Sequence, residues 1–251
     1  MYIKLLNSIR LVPKKIFFGL FGVSFVLLSG AQLAQAVPAT GPLRVLPSNP
    51  RYFTDGSGKA IYLTGSHTWG NLIDHWTTDP PPAFDFNAYL NFLETNNHNF
   101  IRLWNLELTK QNYKGSPFEY NSPFQWPRTG PGNALDGKPK FDLAKFNQSY
   151  FDRLRARVIA ARDRGIYVSI MLFEGWGLKF ADSPWRWDAH PFNINNNING
   201  IDGNPNRDGY GLESHSLQIP AVLAIQEAYV KKVIDTVNDL DNVIFEISNE
   251  D

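Results

Sequence analysis

The chain has 251 residues, and its 24 Lys and Arg balance 24 Asp and Glu, so the formal net charge at pH 7 is zero. This balance, without a basic block in the mature part, argues against a nucleic-acid partner. The chain has no cysteine, which excludes a disulfide framework, a thiolate zinc site and a lipid-modified cysteine. Aromatic residues, asparagine and glycine are plentiful, a mixture that suits either a sugar-binding cleft or an ordinary core with long loops.

Residues 1–36 have the three parts of a secretory signal peptide. The segment begins with four bases and no acid: Lys4, Arg10, Lys14 and Lys15. An apolar run from Phe17 to Leu28 follows, and Ala34-Gln35-Ala36 offers a cleavage site. The run is short for a membrane span, so we expect a secreted or periplasmic protein with no stable membrane association after cleavage. Cleavage leaves 20 Lys and Arg against 24 Asp and Glu.

An uncleaved N-terminal anchor is the alternative for this segment. It would make the chain a membrane-anchored envelope protein. The two alternatives differ in whether Val37 is the mature N-terminus.

Strands and helices are predicted to alternate after a short leader. Residues 37–60 are predicted to form an extended leader and a β-hairpin whose arms run from Arg51 to Leu63, with the turn at 55–58. Hydrophobic periodicity then predicts strands at 61–64, 100–106 and 166–173 and from Val243 to the end, with helices near 84–96, 142–164 and 219–240. Long polar loops are expected at 107–140 and 177–218. This order predicts an α/β fold with a parallel sheet.

The last stretch, VIFEISNE at 243–250, is an apolar strand that ends on Asn249 and Glu250. Together with Arg102 on the second predicted strand, it resembles the retaining glycoside hydrolases of the cellulase-like (β/α)8-barrel clan. The segments GSHTWGNLID (65–74) and LFEGWG (172–177) resemble a less-studied branch of secreted hydrolases in that clan. A doubly wound sheet is the alternative fold, disfavoured because no glycine-rich phosphate loop follows the first strand.

The resemblance implies that residues 61–251 form the N-terminal half (strands 1 to 4) of a (β/α)8 TIM barrel, preceded by the small β-hairpin. A complete barrel takes about 250 residues, and four strands in the 215 residues after the signal peptide suggest truncation after strand 4. By resemblance, Glu250 is the acid/base, Asn249 bonds the sugar 2-hydroxyl and Arg102 keeps the nucleophile ionised. The nucleophile belongs on a seventh strand that this chain lacks, so we expect the chain alone to be inactive.

Strand alternation constrains these assignments. Glu246 and Glu250 share one face of a regular strand and Asn249 lies on the other, so the strand must bulge or end between Asn249 and Glu250 to bring both into one site. For Arg102, a buried ion pair with Glu246 is an alternative or additional role. Five further side chains at strand ends are candidates for substrate binding: His67, Trp69, Trp104, Glu174 and Trp176. Glu174 is also a rival acid.

The loop 202–213 carries oxygen-bearing side chains at the spacing of a calcium-binding loop. Arg207 stands where that loop needs glycine and Pro205 interrupts it, so we expect a solvated loop on the substrate side and no metal or other cofactor. The sequence therefore predicts an O-glycosyl hydrolase with a carbohydrate substrate. The alternative is a non-catalytic secreted carbohydrate-binding barrel.

Overall fold

The computed structural model of the protein describes residues 37–113, 115–179 and 185–250. The predicted signal peptide lies outside these ranges. The strands are β1 Arg44–Val45, β2 Phe53–Thr54, β3 Asp74–Trp76, β4 Phe100–Leu103, β5 Lys110–Gln111, β6 Glu119–Ser122, β7 Arg128–Asn133, β8 Pro139–Phe141, β9 Tyr167–Glu174 and β10 Val243–Asn249. The α-helices are α1 Phe86–Thr95, α2 Gln148–Arg162, α3 Trp176–Lys179, α4 Trp185–Asp188 and α5 Pro220–Val237, and short 3₁₀ turns lie at Trp69–Asn71 and Leu212–His215.

A parallel sheet with strand order β10-β9-β4 carries the site. The central strand β9 is buried along almost its whole length, as its run of apolar residues predicts. β10 pairs with β9 from Val243 opposite Val168 to Asn249 opposite Glu174. These three strands and the helices α1, α2 and α5 confirm the alternation predicted from the sequence, with the ends shifted by a few residues.

The predicted half of a (β/α)8 barrel is wrong. The parallel sheet has three strands, and the described residues contain no closed barrel; the other sheets are small and antiparallel. The predicted first strand, 61–64, forms only an isolated bridge between Ile61 and Phe53. Within the described residues, β4 is therefore one edge strand of the parallel sheet.

The side chain of Asn99 explains why residues 61–64 do not join the sheet as a strand. Its Oδ1 accepts the Thr64 N–H at 2.8 Å, and its Nδ2 donates to the Tyr62 carbonyl at 3.1 Å. The Asn99 backbone N–H donates to the Thr64 carbonyl at 2.9 Å. One residue thus satisfies three backbone groups that a neighbouring strand would otherwise pair, and the segment lies beside β4 without a ladder.

The predicted hairpin at 51–63 and the predicted loop at 107–140 also differ in the structure. The hairpin is reduced to the Phe53–Ile61 bridge, and β2 pairs with β1 as well. The loop contains β5, β6 and β7, which pair with each other or with β3 and β8 in two antiparallel sheets. Side-chain periodicity does not reveal strands of two to six residues, which are stabilised by pairing with distant segments.

Three helices pack on the parallel sheet to form the main core. The largest fully buried side chains in it include Tyr150 and Phe151 of α2, Tyr229 of α5 and Leu90 of α1. A second apolar cluster lies under the loops and includes Phe141, Trp187 and Phe192. No helix within the described ranges is long and apolar enough to cross a membrane.

The strand β10 is more exposed than its apolar sequence predicts. It pairs on one side only, with β9, and the side chains of Phe245 and Ile247 are 43% and 77% exposed. An apolar sequence therefore does not bury this strand on both faces, whereas the apolar strand β9 is buried along most of its length.

Asn71 connects the segment before α1 to the parallel sheet. The residue is fully buried; its Nδ2 donates to the Arg102 carbonyl at 2.6 Å and its Oδ1 accepts the Trp104 N–H at 2.9 Å. Its own carbonyl accepts a hydrogen bond from Arg157 of α2. A buried amide that satisfies groups on either side of Leu103 fixes the end of β4, which carries the site residues.

We predict that Asn71→Ala destabilises the protein by roughly 2–4 kcal/mol, because two buried backbone groups lose their partners. Urea denaturation measures the change. Asn195→Ala is the control, since Asn195 is exposed and should change stability by less than about 0.5 kcal/mol. Equal stability of the two variants would show that the Asn71 bonds do not hold the strand end.

Candidate active site

The carboxyl ends of the three parallel strands meet at one edge of the sheet and bring the predicted site residues together. Trp104 follows β4, Glu174 ends β9 and Asn249 ends β10, with Asn249 directly opposite Glu174 in the strand register. The segment after the predicted first strand adds Trp69. The resulting cavity has a volume of about 440 Å³.

Six of the eight predicted site residues line this cavity: Trp69, Trp104, Glu174, Trp176, Asn249 and Glu250. The other two, Arg102 and His67, do not line it but contact residues that do. Sequence reasoning missed four lining residues on or beside the β5–β6 hairpin: Gln111, Asn112, Tyr113 and Glu119. The signal that could have identified them is the presence of amide, aromatic and carboxylate side chains in a loop that follows a strand of the parallel sheet.

Arg102 makes the ion pair with Glu246 that strand alternation suggested as its alternative role. Its Nε donates to Glu246 Oε2 at 2.8 Å, and its NH2 group donates to Glu246 Oε1. The same NH2 group donates to Asn249 Oδ1 at 3.1 Å, and the guanidinium lies 4.4 Å from the Trp104 ring centre. Arg102 therefore orients both the amide and one aromatic ring at the cavity.

The chain changes direction between Asn249 and Glu250, as the two side chains require if they are to reach one cavity. β10 ends at Asn249, and Glu250 has a left-handed backbone with φ of 60°. The Glu250 carboxylate lies 3.9 Å from Lys179 Nζ, and its side chain is 49% exposed. Glu250 is thus available to a ligand from the solvent side.

His67 supports the aromatic wall from behind. Its ring centre lies 4.7 Å from that of Trp104 and 6.0 Å from that of Trp69. Burial, together with the nearby charge of Arg102, lowers the pKa of His67 and favours the neutral ring. This geometry fits a packing role better than the direct hydroxyl contact that the sequence suggested.

Glu174 is the buried carboxyl group of the cavity. The residue is 1% exposed, and its Oε2 accepts the Gly177 N–H at 3.1 Å. Burial and the charge of Glu107 raise the pKa of Glu174 from 4.5 to about 8. Arg102, the contact considered from the sequence, is bonded to Glu246 and Asn249 instead. The Glu174 side chain is therefore a neutral carboxylic acid at pH 7.

Glu107, His190 and His215 form a cluster whose ligand-type atoms lie within 4.8 Å of one another, so their positions alone could suit a metal ion. The protonation of His190 opposes this role. Its Nδ1 accepts the Phe192 N–H at 3.0 Å, so the neutral ring carries its proton on Nε2, the atom that faces Glu107. A metal-bound histidine instead donates a proton from its other nitrogen. The residues present do not fit an ion.

In the loop 202–213, considered above for calcium, several side-chain oxygen atoms accept hydrogen bonds from the loop itself, whereas Glu213 Oε2 is buried without a partner among the described residues. Asn206 Nδ2 donates to Asp208 Oδ2 at 3.0 Å and also to the Glu213 carboxylate. Arg207 has a left-handed φ of 61°, the conformation that glycine would adopt there. The cavity lining contains no residue of this described loop, so the expected position on the substrate side is not supported.

We predict that Glu174→Gln changes how stability depends on pH. A carboxyl group with a raised pKa keeps its proton in the native state between about pH 4.5 and 8, where the unfolded chain releases it, so stability falls as pH rises by up to about 1.4 kcal/mol per unit. Gln is neutral throughout and removes this cost. Urea denaturation should show a larger gain for the variant at pH 8 than at pH 5.

Glu94→Gln is the matched control for this measurement. Glu94 is an exposed residue of α1, paired with Arg164. The Glu94→Gln variant should keep the shape of the wild-type curve of stability against pH. Parallel curves for the wild type and Glu174→Gln would contradict the raised pKa.

No curated protein matches the sequence of this chain. One solved structure with similarity is that of a protein from Bacteroides vulgatus ATCC 8482, whose assignment as a glycoside hydrolase is provisional; the match has 15% identity and a TM-score of 0.40, covering 83% of this chain and 38% of that protein. The family described as domain of unknown function DUF6298 matches residues 110–251. Because this match spans more than half of the sequence, the chain belongs to the DUF6298 family.

Proposed function

We propose that the cavity at the strand ends binds a carbohydrate and that Glu250 acts on its glycosidic bond as a general acid/base. The observation that carries the proposal is the composition of one cavity: three tryptophans together with Asn249, Glu250 and Glu174. Flat aromatic faces bind the C–H faces of sugar rings, while amides and carboxyl groups bond hydroxyls. Glycoside hydrolysis needs a carboxyl group beside the scissile bond.

The surroundings of Asn249 and Glu250 support the roles that the family resemblance implies. Arg102 holds the Asn249 carbonyl oxygen at 3.1 Å, which leaves the amide N–H groups free to be directed toward a sugar hydroxyl. The turn at Glu250 places its carboxyl at the cavity. In the proposed reaction Glu250 protonates the leaving oxygen as the bond to the anomeric carbon breaks, and later takes a proton from water.

A retaining mechanism also needs a carboxylate nucleophile. Glu174 is a poor candidate because its raised pKa keeps it protonated and therefore weakly nucleophilic at neutral pH. We assign the nucleophile to no residue within the described ranges. Hydrolysis by the chain alone is therefore not part of the proposal, whereas sugar binding and proton donation by Glu250 are.

A non-catalytic carbohydrate-binding protein is the second candidate. The observation that favours it is the 49% exposure of the Glu250 side chain beside Lys179, because a general acid at neutral pH usually requires burial. The same aromatic cavity would then serve for binding alone. The two candidates predict the same affinity for sugars and differ in what Glu250 does.

We predict that Trp69→Ala weakens binding of neutral oligosaccharides about tenfold, since a stacking face is lost. Calorimetric titration with a panel of oligosaccharides measures the affinity. Trp76→Ala is the control, because Trp76 is similarly exposed (56% against 51%) but does not line the cavity. Sugar binding that is equal in both variants and the wild type would rule out this cavity as the binding site.

We predict that azide allows the chain to cleave aryl glycosides, with Glu250 as the proton donor. Azide attacks the anomeric carbon and forms a glycosyl azide, while the leaving oxygen takes its proton from Glu250. Glu250→Gln should lower the azide-dependent rate at least a hundredfold on substrates with poorly acidic leaving groups. Chromatography of the released phenol and the glycosyl azide measures the rate.

Glu94→Gln on the α1 surface is the control for this experiment and should retain the rate. If the chain binds sugar but gives no azide-dependent cleavage, the non-catalytic candidate is favoured. Cleavage that persists unchanged in Glu250→Gln would assign the proton donor to another residue.

A further inference from the structure

Two buried carboxyl groups lie at or beyond the ends of neighbouring strands, one in the cavity lining and one outside it. Glu107 lies in the segment between β4 and β5, and Glu174 is the last residue of β9. Asn105 Nδ2 donates to the Leu172 carbonyl at 2.8 Å, which joins the two segments just before these glutamates. Glu174 lines the cavity, whereas Glu107 does not. The two residues are 1% and 9% exposed, so water cannot screen one from the other effectively.

The histidines hold Glu107 as a carboxylate. His215 Nε2 lies 2.9 Å from Glu107 Oε2, and His190 Nε2, which carries its proton, faces the same oxygen at 3.8 Å. The His190 ring is fixed by the Phe192 N–H at Nδ1 and by stacking on Trp187, with ring centres 5.3 Å apart. Burial alone would raise the pKa of Glu107, but the charge of His215 and the contacts with both histidines lower it to about 2.

The contacts of Glu174 differ from those of Glu107. Its carboxyl group is bonded by backbone N–H groups, that of Gly177 at 3.1 Å and that of Trp176, and its Oε2 lies 3.1 Å from the position that a Cβ on Gly177 would take. The close approach of the backbone at Gly177 encloses the carboxyl on that side. One carboxyl group thus has histidine partners, and the other faces the cavity.

We propose that Glu107 is a positioning residue whose fixed negative charge keeps Glu174 as a neutral carboxylic acid, so that the cavity offers a carboxyl O–H as a hydrogen-bond donor to its ligand. Two like charges in a shared low-dielectric environment cannot both persist, and the group with better partners keeps the charge. The environments of the two glutamates assign the charge to Glu107.

The other charged groups around Glu174 are already engaged or lie toward solvent. Arg102 is bonded to Glu246 and Asn249, Arg186 donates to the Gly177 carbonyl and lies over Trp176, and Lys179 lies beside Glu250. The remaining titratable groups of the described residues near the cavity or cluster are Glu119, Glu250, Tyr113, His190 and His215, together with Tyr150 and Tyr229 near Glu107.

The neutral form of Glu174 has a consequence for the ligand. A carboxylic acid donates a hydrogen bond to a sugar hydroxyl or ring oxygen and adds no charge to the cavity. The sugar as ligand rests on the proposed function, whereas the protonation state does not. An experiment on the protein without a substrate therefore separates a failure of this inference from a failure of the proposed function.

Carbon-13 NMR of side-chain-labelled glutamate measures the inference directly. The carboxyl signal that disappears in Glu174→Gln is followed from pH 4 to pH 10. In the wild type, the pKa obtained from this signal should be raised well above the ordinary value of a glutamate. In Glu107→Gln its pKa should fall by about one unit or more, since a neighbouring charge is removed. Glu107→Asp, which keeps the charge, should retain most of the elevation, and Glu94→Gln should retain all of it.

The wild-type titration alone can overturn the proposal, even if Glu107→Gln does not fold. A Glu174 signal that titrates as an ordinary glutamate would do so. An unchanged elevated value in folded Glu107→Gln would also do so, because it would assign the effect to burial alone. Stoichiometric Zn²⁺ binding that is lost in His190→Ala would contradict the proposal as well, since an ion would neutralise the Glu107 charge.

Discussion

The contact between Arg102 and two residues of β10 holds the candidate site together. Arg102 lies on β4, and β10 is separated from β4 by the whole of β9, so the guanidinium bridges the sheet to reach Glu246 and Asn249. Its NH2 group passes Met171 of β9 at 3.8 Å. Removing such a cation would leave the Glu246 carboxylate, whose side chain is 25% exposed, without its main partner, which usually costs more than the pair contributes when intact. The ion pair thereby fixes the orientation of the Asn249 amide relative to the Trp104 ring.

The cavity shows how one sheet edge can give two carboxyl groups different chemistry. Glu174 and Asn249 lie directly opposite each other in the register, and Glu250 is the next residue, yet Glu174 is buried and Glu250 is half exposed. The difference follows from the positions of the strands: β9 is central and covered, whereas β10 has an open edge. Burial favours the neutral form of a carboxyl group. Strand order therefore determines which of the two glutamates is buried and held in the neutral form.

Much of the local structure could be predicted from the sequence, and the fold could not. The periodicity of α1, α2 and α5 and the apolar runs of β9 and β10 identify these elements, because each signal is contained in the segment itself. The predicted first strand failed because the Asn99 side chain replaces a ladder, an interaction between residues 35 and 37 positions apart. The strands β5 to β8 and the Glu107–His215 contact likewise depend on pairings between distant residues. The Arg102–Glu246 pair was expected as an alternative or additional role of Arg102 because strands 2 and 4 share interior layers in a barrel; here the two side chains meet across β9 of the three-stranded sheet.

Six of the eight predicted site residues nevertheless line one cavity, although the predicted barrel was wrong. The reason lies in the parallel sheet. Adjacent parallel strands connected by right-handed helical crossovers bring their carboxyl ends to one edge whether or not the sheet closes on itself. Polar and aromatic residues that follow three such strands must therefore meet, and Trp104, Glu174 and Asn249 do so here. Closing the sheet into a barrel would change what covers the exposed side chains of Phe245 and Ile247. It would not change which residues gather at the strand ends. Strand order thus predicts which residues gather at this edge without predicting whether the sheet closes.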